Sequence, residues 1–99
     1  AAIIGGTILG AMVGGHIGSE MDELDRRRTY ETFENTPTGR TNSWNNPDTG
    51  AQYSVTPTRT YETNDRPCRE YEMDAYIDGQ REVVKGTACR NANGEWVNQ

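Results

Sequence analysis

The run CREYEMDAYIDGQREVVKGTACR, from Cys68 to Arg90, decides how this chain is read. Asp78-Gly79 at its centre is a two-residue hairpin signal, because a type I′ turn needs φ > 0 at both central positions. Pairing across that turn joins residues whose numbers sum to 157. Ile77 then meets Gln80, Tyr76 meets Arg81, Glu72 meets Lys85, and Cys68 meets Cys89. Residues flanking such a turn form a hydrogen-bonded pair, and the pair type alternates outward. Cys68 and Cys89 therefore form a non-hydrogen-bonded pair, with Cα atoms about 4.5 Å apart. That separation is within disulfide reach, about 4.4–6.8 Å. The register and the cysteine spacing agree independently, so a Cys68–Cys89 disulfide is expected. Closing a loop of roughly 22 residues stabilises by roughly 3 kcal/mol, and a persistent disulfide implies an oxidising compartment.

On either side of this hairpin the sequence continues in short extended runs. Thr41 to Asn45 precedes the turn signal Asn46-Pro47-Asp48-Thr49-Gly50. Ala51, Tyr53 and Val55 alternate with polar residues, the period of a half-buried strand. Pro57 follows, which places that strand at an edge or bends it. Thr58 to Glu62 continues extended, and Asn93-Gly94 turns the chain into a short last strand at Glu95-Trp96-Val97. About five antiparallel strands result, over residues 37–99.

The core of that sheet must be aromatic. Leu, Ile, Val and Phe number 13 of 99 residues, and seven of them precede residue 25. Trp44, Tyr53, Tyr61, Tyr71, Tyr76 and Trp96 either fill the interior or line a ligand groove; little else could form the core. The formal charge is −5, from 10 Lys+Arg against 15 Asp+Glu. That balance argues against nucleic acid as a partner. Glu70, Glu72 and Asp74 share one face of the hairpin, opposite Thr87, Lys85 and Val83. Cross-strand pairing on a solvated face accounts for them. Two cysteines are too few for a four-ligand zinc site. The lone histidine, His16, has no partner for a catalytic triad or dyad. No enzyme, metal or cofactor is expected.

Residues 1–19 carry no Lys, Arg, Asp or Glu, whereas Glu20 to Arg28 holds seven charges in nine positions. Gly6, Gly10, Gly14 and Gly18 recur every four residues. On a helix they make one bare ridge, opposite Ile4, Ile8, Leu9, Met12, Val13 and Ile17. Four helical glycines cost about 4 kcal/mol relative to Ala, which close packing against another helix recovers. Eighteen helical residues reach roughly 27 Å, near the ~30 Å hydrocarbon thickness. A membrane-associated glycine zipper is therefore expected. The charged run beyond it reads as helix to about residue 34, with Asp22/Arg26 and Glu23/Arg27 at the favourable i,i+4 spacing. Arg26, Arg27 and Arg28 would meet anionic headgroups, or join an ion-pair network with neighbouring acids.

The expected architecture is thus α+β: one helix over about 2–34 in an N-terminal unit (1–36), then a disulfide-clamped antiparallel sheet (37–99). The chain starts at Ala1 without a leader. The expectation is that a targeting segment was removed, or that the sequence belongs to something longer.

Several motifs in this order resemble the 17 kDa surface antigen family. They are Met21-Asp-Glu-Leu-Asp-Arg-Arg-Arg28 after a glycine zipper, Pro37-Thr-Gly39, Ser43-Trp-Asn-Asn-Pro-Asp-Thr-Gly50, Val55-Thr-Pro-Thr-Arg-Thr-Tyr61, Cys68-Arg-Glu-Tyr71, Gly86-Thr-Ala-Cys-Arg90 and Gly94-Glu-Trp96. The resemblance spans nearly the whole chain. It implies an exported, lipid-anchored, non-enzymatic protein of the bacterial outer membrane, on the periplasmic side or the cell surface. This chain shows no lipobox and no N-terminal Cys, and only one arm of the family's zipper hairpin is clear. The function expected is structural: the zipper drives helix packing and oligomerisation with membrane lipids, other copies or other envelope proteins. Two alternatives are a zipper-ring pore lined by His16, and a β domain that binds or inhibits an envelope partner.

Overall fold

Gln52–Thr63 (β2), Arg66–Ile77 (β3) and Gln80–Arg90 (β4) form a long antiparallel meander in the computed structural model, which describes residues 15–99. Short strands Asn42–Asn45 (β1) and Trp96–Asn98 (β5) flank it, giving one sheet of order β1-β2-β3-β4-β5. The β3–β4 register is the one the turn dictates, from Ile77↔Gln80 to Cys68↔Cys89. Asp78 and Gly79 have φ of 54° and 79°, the left-handed pair that a type I′ turn requires. A second such turn, at Asn64 and Asp65 (φ 53° and 62°), joins β2 to β3.

Pro57 sits inside β2, where its missing N–H does no harm. Its carbonyl points away from β3 and accepts the Gly39 N–H at 2.7 Å. The β2–β3 register shifts by one between Pro57 and Arg59, a bulge that bends the strand there.

One face of the sheet is apolar. Tyr53 and Val55 of β2, and Tyr71, Met73, Ala75 and Ile77 of β3, are buried together with Ala88, Trp44 and Trp96. The opposite face is solvated and held by cross-strand pairs. Arg81–Asp74 (2.6 Å), Arg59–Glu70 (2.9 Å) and Lys85–Glu72 (3.7 Å) lie there, as do hydroxyl pairs Thr41–Thr56 and Ser43–Ser54. Each exposed pair contributes little by itself. The Cys68–Cys89 disulfide also lies on this side, with Cα atoms 4.0 Å apart. It sits in the row running from Tyr61 to Val97.

Two helices cover the apolar face, and here the architecture departs from expectation. The helices are 6 and 13 residues long, against strands of 4, 12, 12, 11 and 3. The fold is mostly antiparallel sheet rather than the expected α+β arrangement led by one long N-terminal helix. Nor does a single helix run over 2–34. Gly15–Glu20 (α1) ends at Met21, and Glu23–Asn35 (α2) begins after Asp22. Asp22 is extended (φ −99°, ψ −170°) and caps α2 in a reciprocal box with Asp25. Satisfying the free N–H groups of a new helix start outweighs continuing the old one. Residues 1–14, and with them the expected packing positions Gly6, Gly10 and Gly14, lie outside the described residues. The side chain of His16 does too.

The aromatic core is present with two corrections. Phe33 of α2 joins it, edge-on to Tyr71 at 5.1 Å and tilted against Trp96 at 5.3 Å. Tyr61 and Tyr76 lie on the solvated face instead, and Tyr76 is 49% exposed. Gly86 permits the Tyr71 placement. A Cβ there would stand 2.8 Å from the Tyr71 hydroxyl.

Candidate functional site

The helix layer is fixed to the sheet at both ends of α2. At its start, Asp25 is fully buried. Its carboxylate accepts the Trp44 indole N–H at 2.9 Å and the Asn46 amide at 3.1 Å. It also accepts the Asp22 backbone N–H at 3.2 Å. Asn46 is positioned by the Asn46–Gly50 turn, where its side-chain oxygen accepts the Asp48 and Thr49 N–H groups. The Asn46 side chain, aided by the Asp25 N–H, holds the Asp22 carboxyl below its ordinary value. Tyr53 stacks on Trp44 at 5.3 Å. Its hydroxyl is buried without a hydrogen-bond partner. Burial first, and the Asp25 charge second, push that phenol well above its usual pKa.

At the other end Arg69 of β3 reaches up from the sheet. It is 7% exposed. Its guanidinium donates to the carbonyls of Phe33 (2.7 Å), Thr36 (2.6 Å) and Thr32 (3.4 Å), and its Nε to Thr60. The Phe33 and Thr36 carbonyls are among those that a helix C-terminus leaves without partners, whereas Thr32 also accepts the Thr36 N–H at 3.0 Å. A buried cation also suits the negative end of the helix dipole. Beside it, Glu34 accepts both the Arg90 Nε–H (2.7 Å) and the Trp96 indole N–H (2.8 Å).

The preceding helix is joined to this frame. Ile17 and Met21 are buried in the same core. Arg26 donates to the Met21 carbonyl at 2.8 Å across the break. Apart from the Tyr53 hydroxyl, these polar groups bond to one another, so the cluster holds helices on a sheet. On the solvated face a hollow of about 480 Å³ lies between Thr58, Glu70, Glu72, Lys85 and Thr87. Its carboxylates pair with Arg59 and Lys85. Among the described residues no three His, Cys, Asp or Glu side chains are grouped to hold a metal ion. Among those residues, too, no helix is long and apolar enough to cross a membrane.

The sequence from residue 31 to 97 matches the family model for the 17 kDa outer membrane surface antigen. That span begins inside α2 and covers the sheet as far as Val97 in β5. The chain belongs to this surface antigen family. It is similar to the 17 kDa surface antigen of Rickettsia bellii, at 39% identity over 97% of the chain and 64% of that relative. Similarity to the Rickettsia felis protein is 42% over 77% of the chain and 51% of the relative. The 17 kDa surface antigen of Rickettsia prowazekii is 41% identical over 76% of the chain and 50% of its own length. The chain thus spans half to two thirds of the length of these relatives. No solved structure matches it.

Within this surface antigen fold, Gly18 lies in α1, and its carbonyl accepts the Met21 N–H at 3.4 Å. Arg26 is turned to Met21, whereas Arg27 and Arg28 are exposed on α2. Asp22 serves as a cap rather than as a partner for Arg26. Sequence reasoning missed Asp25, Asn46 and Arg69. The Asp22-x-x-Asp25 spacing was a capping-box signal. Nothing local marks Arg69, whose carbonyl partners lie 33 to 37 positions away.

Proposed function

We propose that this chain is a non-enzymatic structural protein of the bacterial envelope, a surface antigen carried at the outer membrane. Its sheet is a rigid mount for the glycine-spaced segment that ends at Gly18, and that segment packs closely against membrane partners or other copies. The location follows the names of its relatives, each called a surface antigen. One observation carries the reading: the turn bearing Gly18 is built into the core through Ile17 and Met21. The glycine-spaced segment is continuous in sequence with that anchored turn. Bare glycine positions at four-residue spacing then allow close backbone approach.

The test replaces Gly10 and Gly14 with Leu in the membrane-bound protein, with Gly5→Leu as an off-ridge control. Chemical crosslinking and membrane fractionation are read alongside the melting of the sheet. Loss of crosslinked species in the double variant alone, with unchanged melting, is the expected result. Unchanged oligomers and membrane retention would overturn it.

A further inference from the structure

One edge of the sheet is only partly covered among the described residues. β5 pairs with β4 only at Ala88, Cys89 and Arg90, and the Gln99 N–H adds one more bond, to the Thr87 carbonyl. Below that point β4 runs on to Gln80, and no described residue pairs with its outer side. The hairpin register says which groups face outward. Ile77/Gln80 flanks the turn as a hydrogen-bonded pair, so even-numbered residues of β4 bond to β3. The N–H and C=O groups of Arg81, Val83 and Lys85 therefore point off the edge. Thr87, of the same parity, confirms this by bonding to β5.

The side chains beside this edge are distinctive. Val83 (47%) and Tyr76 (49%) are the exposed large hydrophobics of the described residues, and the register makes them diagonal neighbours on adjacent strands. Arg81 and Lys85 flank Val83 in the same row. An antiparallel copy of β4 centred on Val83 would set Arg81 opposite Lys85 at both ends, and like charges directly opposite are destabilising. Cationic edge residues are a known guard against self-pairing. The same row favours a strand that presents an acid, an apolar residue and an acid at alternate positions. Lys85 is only 3.7 Å from Glu72 at best and 78% exposed, so its ammonium is available to an incoming carboxylate. Arg81, bound to Asp74 on one side, would bridge two carboxylates across three strands.

We propose that the edge of β4 at Arg81, Val83 and Lys85 is a docking site for an extended segment of another protein, with acidic residues flanking an apolar one at alternate positions. The backbone supplies the ladder, and Tyr76 with Val83 supplies the apolar contact.

The probe is the blocked peptide acetyl-Thr-Glu-Thr-Val-Thr-Glu-Thr-amide at millimolar concentration, with its Glu→Lys counterpart as control. The full chain is followed by NMR and amide exchange. Shifts should centre on Arg81, Val83 and Lys85, with those amides exchanging at least tenfold more slowly under the acidic peptide than under the basic one. Val83→Pro removes one outward N–H without touching the β3 ladder, and should abolish the shifts. Lys85→Glu should shrink the preference between the peptides. Equal response to both peptides, or no response, overturns the proposal. So does protection of these amides in the peptide-free chain, which would mean the chain or a second copy already covers the edge.

Discussion

The two ends of α2 are held by opposite chemistry. At the start, the sheet supplies donors, the Trp44 indole and the Asn46 amide, and the helix supplies a buried anion, Asp25. At the finish, the sheet supplies a buried cation, Arg69, and the helix supplies only backbone carbonyls. Both arrangements place charge where the helix dipole favours it. They differ in what is at stake. The N-terminal clamp rests on one carboxylate shared among neutral donors, and that carboxylate also belongs to the capping box. The C-terminal clamp rests on a guanidinium that stays charged at every accessible pH. A sheet with so few aliphatic residues keeps its helical cover through directed hydrogen bonds as much as through burial.

Removing each charge separately gives the largest effects and ranks the two clamps. Arg69→Met leaves the Phe33 and Thr36 carbonyls without their donor, each worth about 1–3 kcal/mol when buried. The expected loss is about 3 kcal/mol or more. Asp25→Ala leaves the Trp44 and Asn46 donors unpaired, and a loss of about 2 kcal/mol is expected. Urea unfolding of the disulfide-intact chain measures both. Arg69→Lys should recover only part of the loss, because one ammonium cannot reach Phe33, Thr36 and Thr60 together. If Arg69→Met proves as stable as the parent, the C-terminal clamp is ornamental.

The sheet was far more legible in the sequence than either clamp, and the reason is range. The Asp78-Gly79 turn fixes every pair of β3 with β4 by counting, down to Cys68 and Cys89. Alternation at Ala51, Tyr53 and Val55 marks the inward row of β2 without knowledge of any partner. The Asn64-Asp65 turn was overlooked because neither residue is glycine, although Asn and Asp tolerate left-handed backbone better than other residues. The helix break was hidden by a hydrophobic stripe, Ile17-Met21-Leu24, that runs straight through it. Only the competing cap at Asp22 interrupts the backbone. Arg69 reads as an ordinary polar strand residue until the fold brings α2 over it. The acid-first spacing of Asp22 and Arg26 suggested a helical pair, but each found a backbone partner nearer at hand.

Acid should separate the two clamps with a smaller effect. Asp22 has its folded pKa lowered, by the Asn46 side chain above all. A depressed carboxyl contributes stability that is complete above its ordinary value of 3.8 and is lost as pH falls through the folded value. The expected scale is that of one helix cap, about 1 kcal/mol. Arg69 does not titrate in this range. As pH falls below 3.8, the Asp25 backbone N–H, which bonds to the Asp22 carboxylate, should therefore exchange faster with solvent before the Arg69 Nε–H does. Simultaneous loss of both signals would show that the helix leaves the sheet as one piece.

The smallest effect belongs to Tyr53, and it sharpens the contrast. Its hydroxyl is the one buried side-chain polar atom among the described residues that lacks a partner, and it lies at the N-terminal end. An enclosed, unpaired hydroxyl carries a desolvation cost with no hydrogen bond to offset it. Tyr53→Phe keeps the ring stacked on Trp44 and removes only that cost. Urea unfolding should show no loss, or a gain of up to about 1 kcal/mol. The same substitution removes the phenol whose ionisation burial and Asp25 oppose, so alkaline unfolding should begin at higher pH in the variant. A loss of about 1 kcal/mol or more would mean that the hydroxyl does bond to Asp25 in solution. The N-terminal clamp would then have three sheet donors rather than two, and its expected rank below Arg69 would have to be reconsidered.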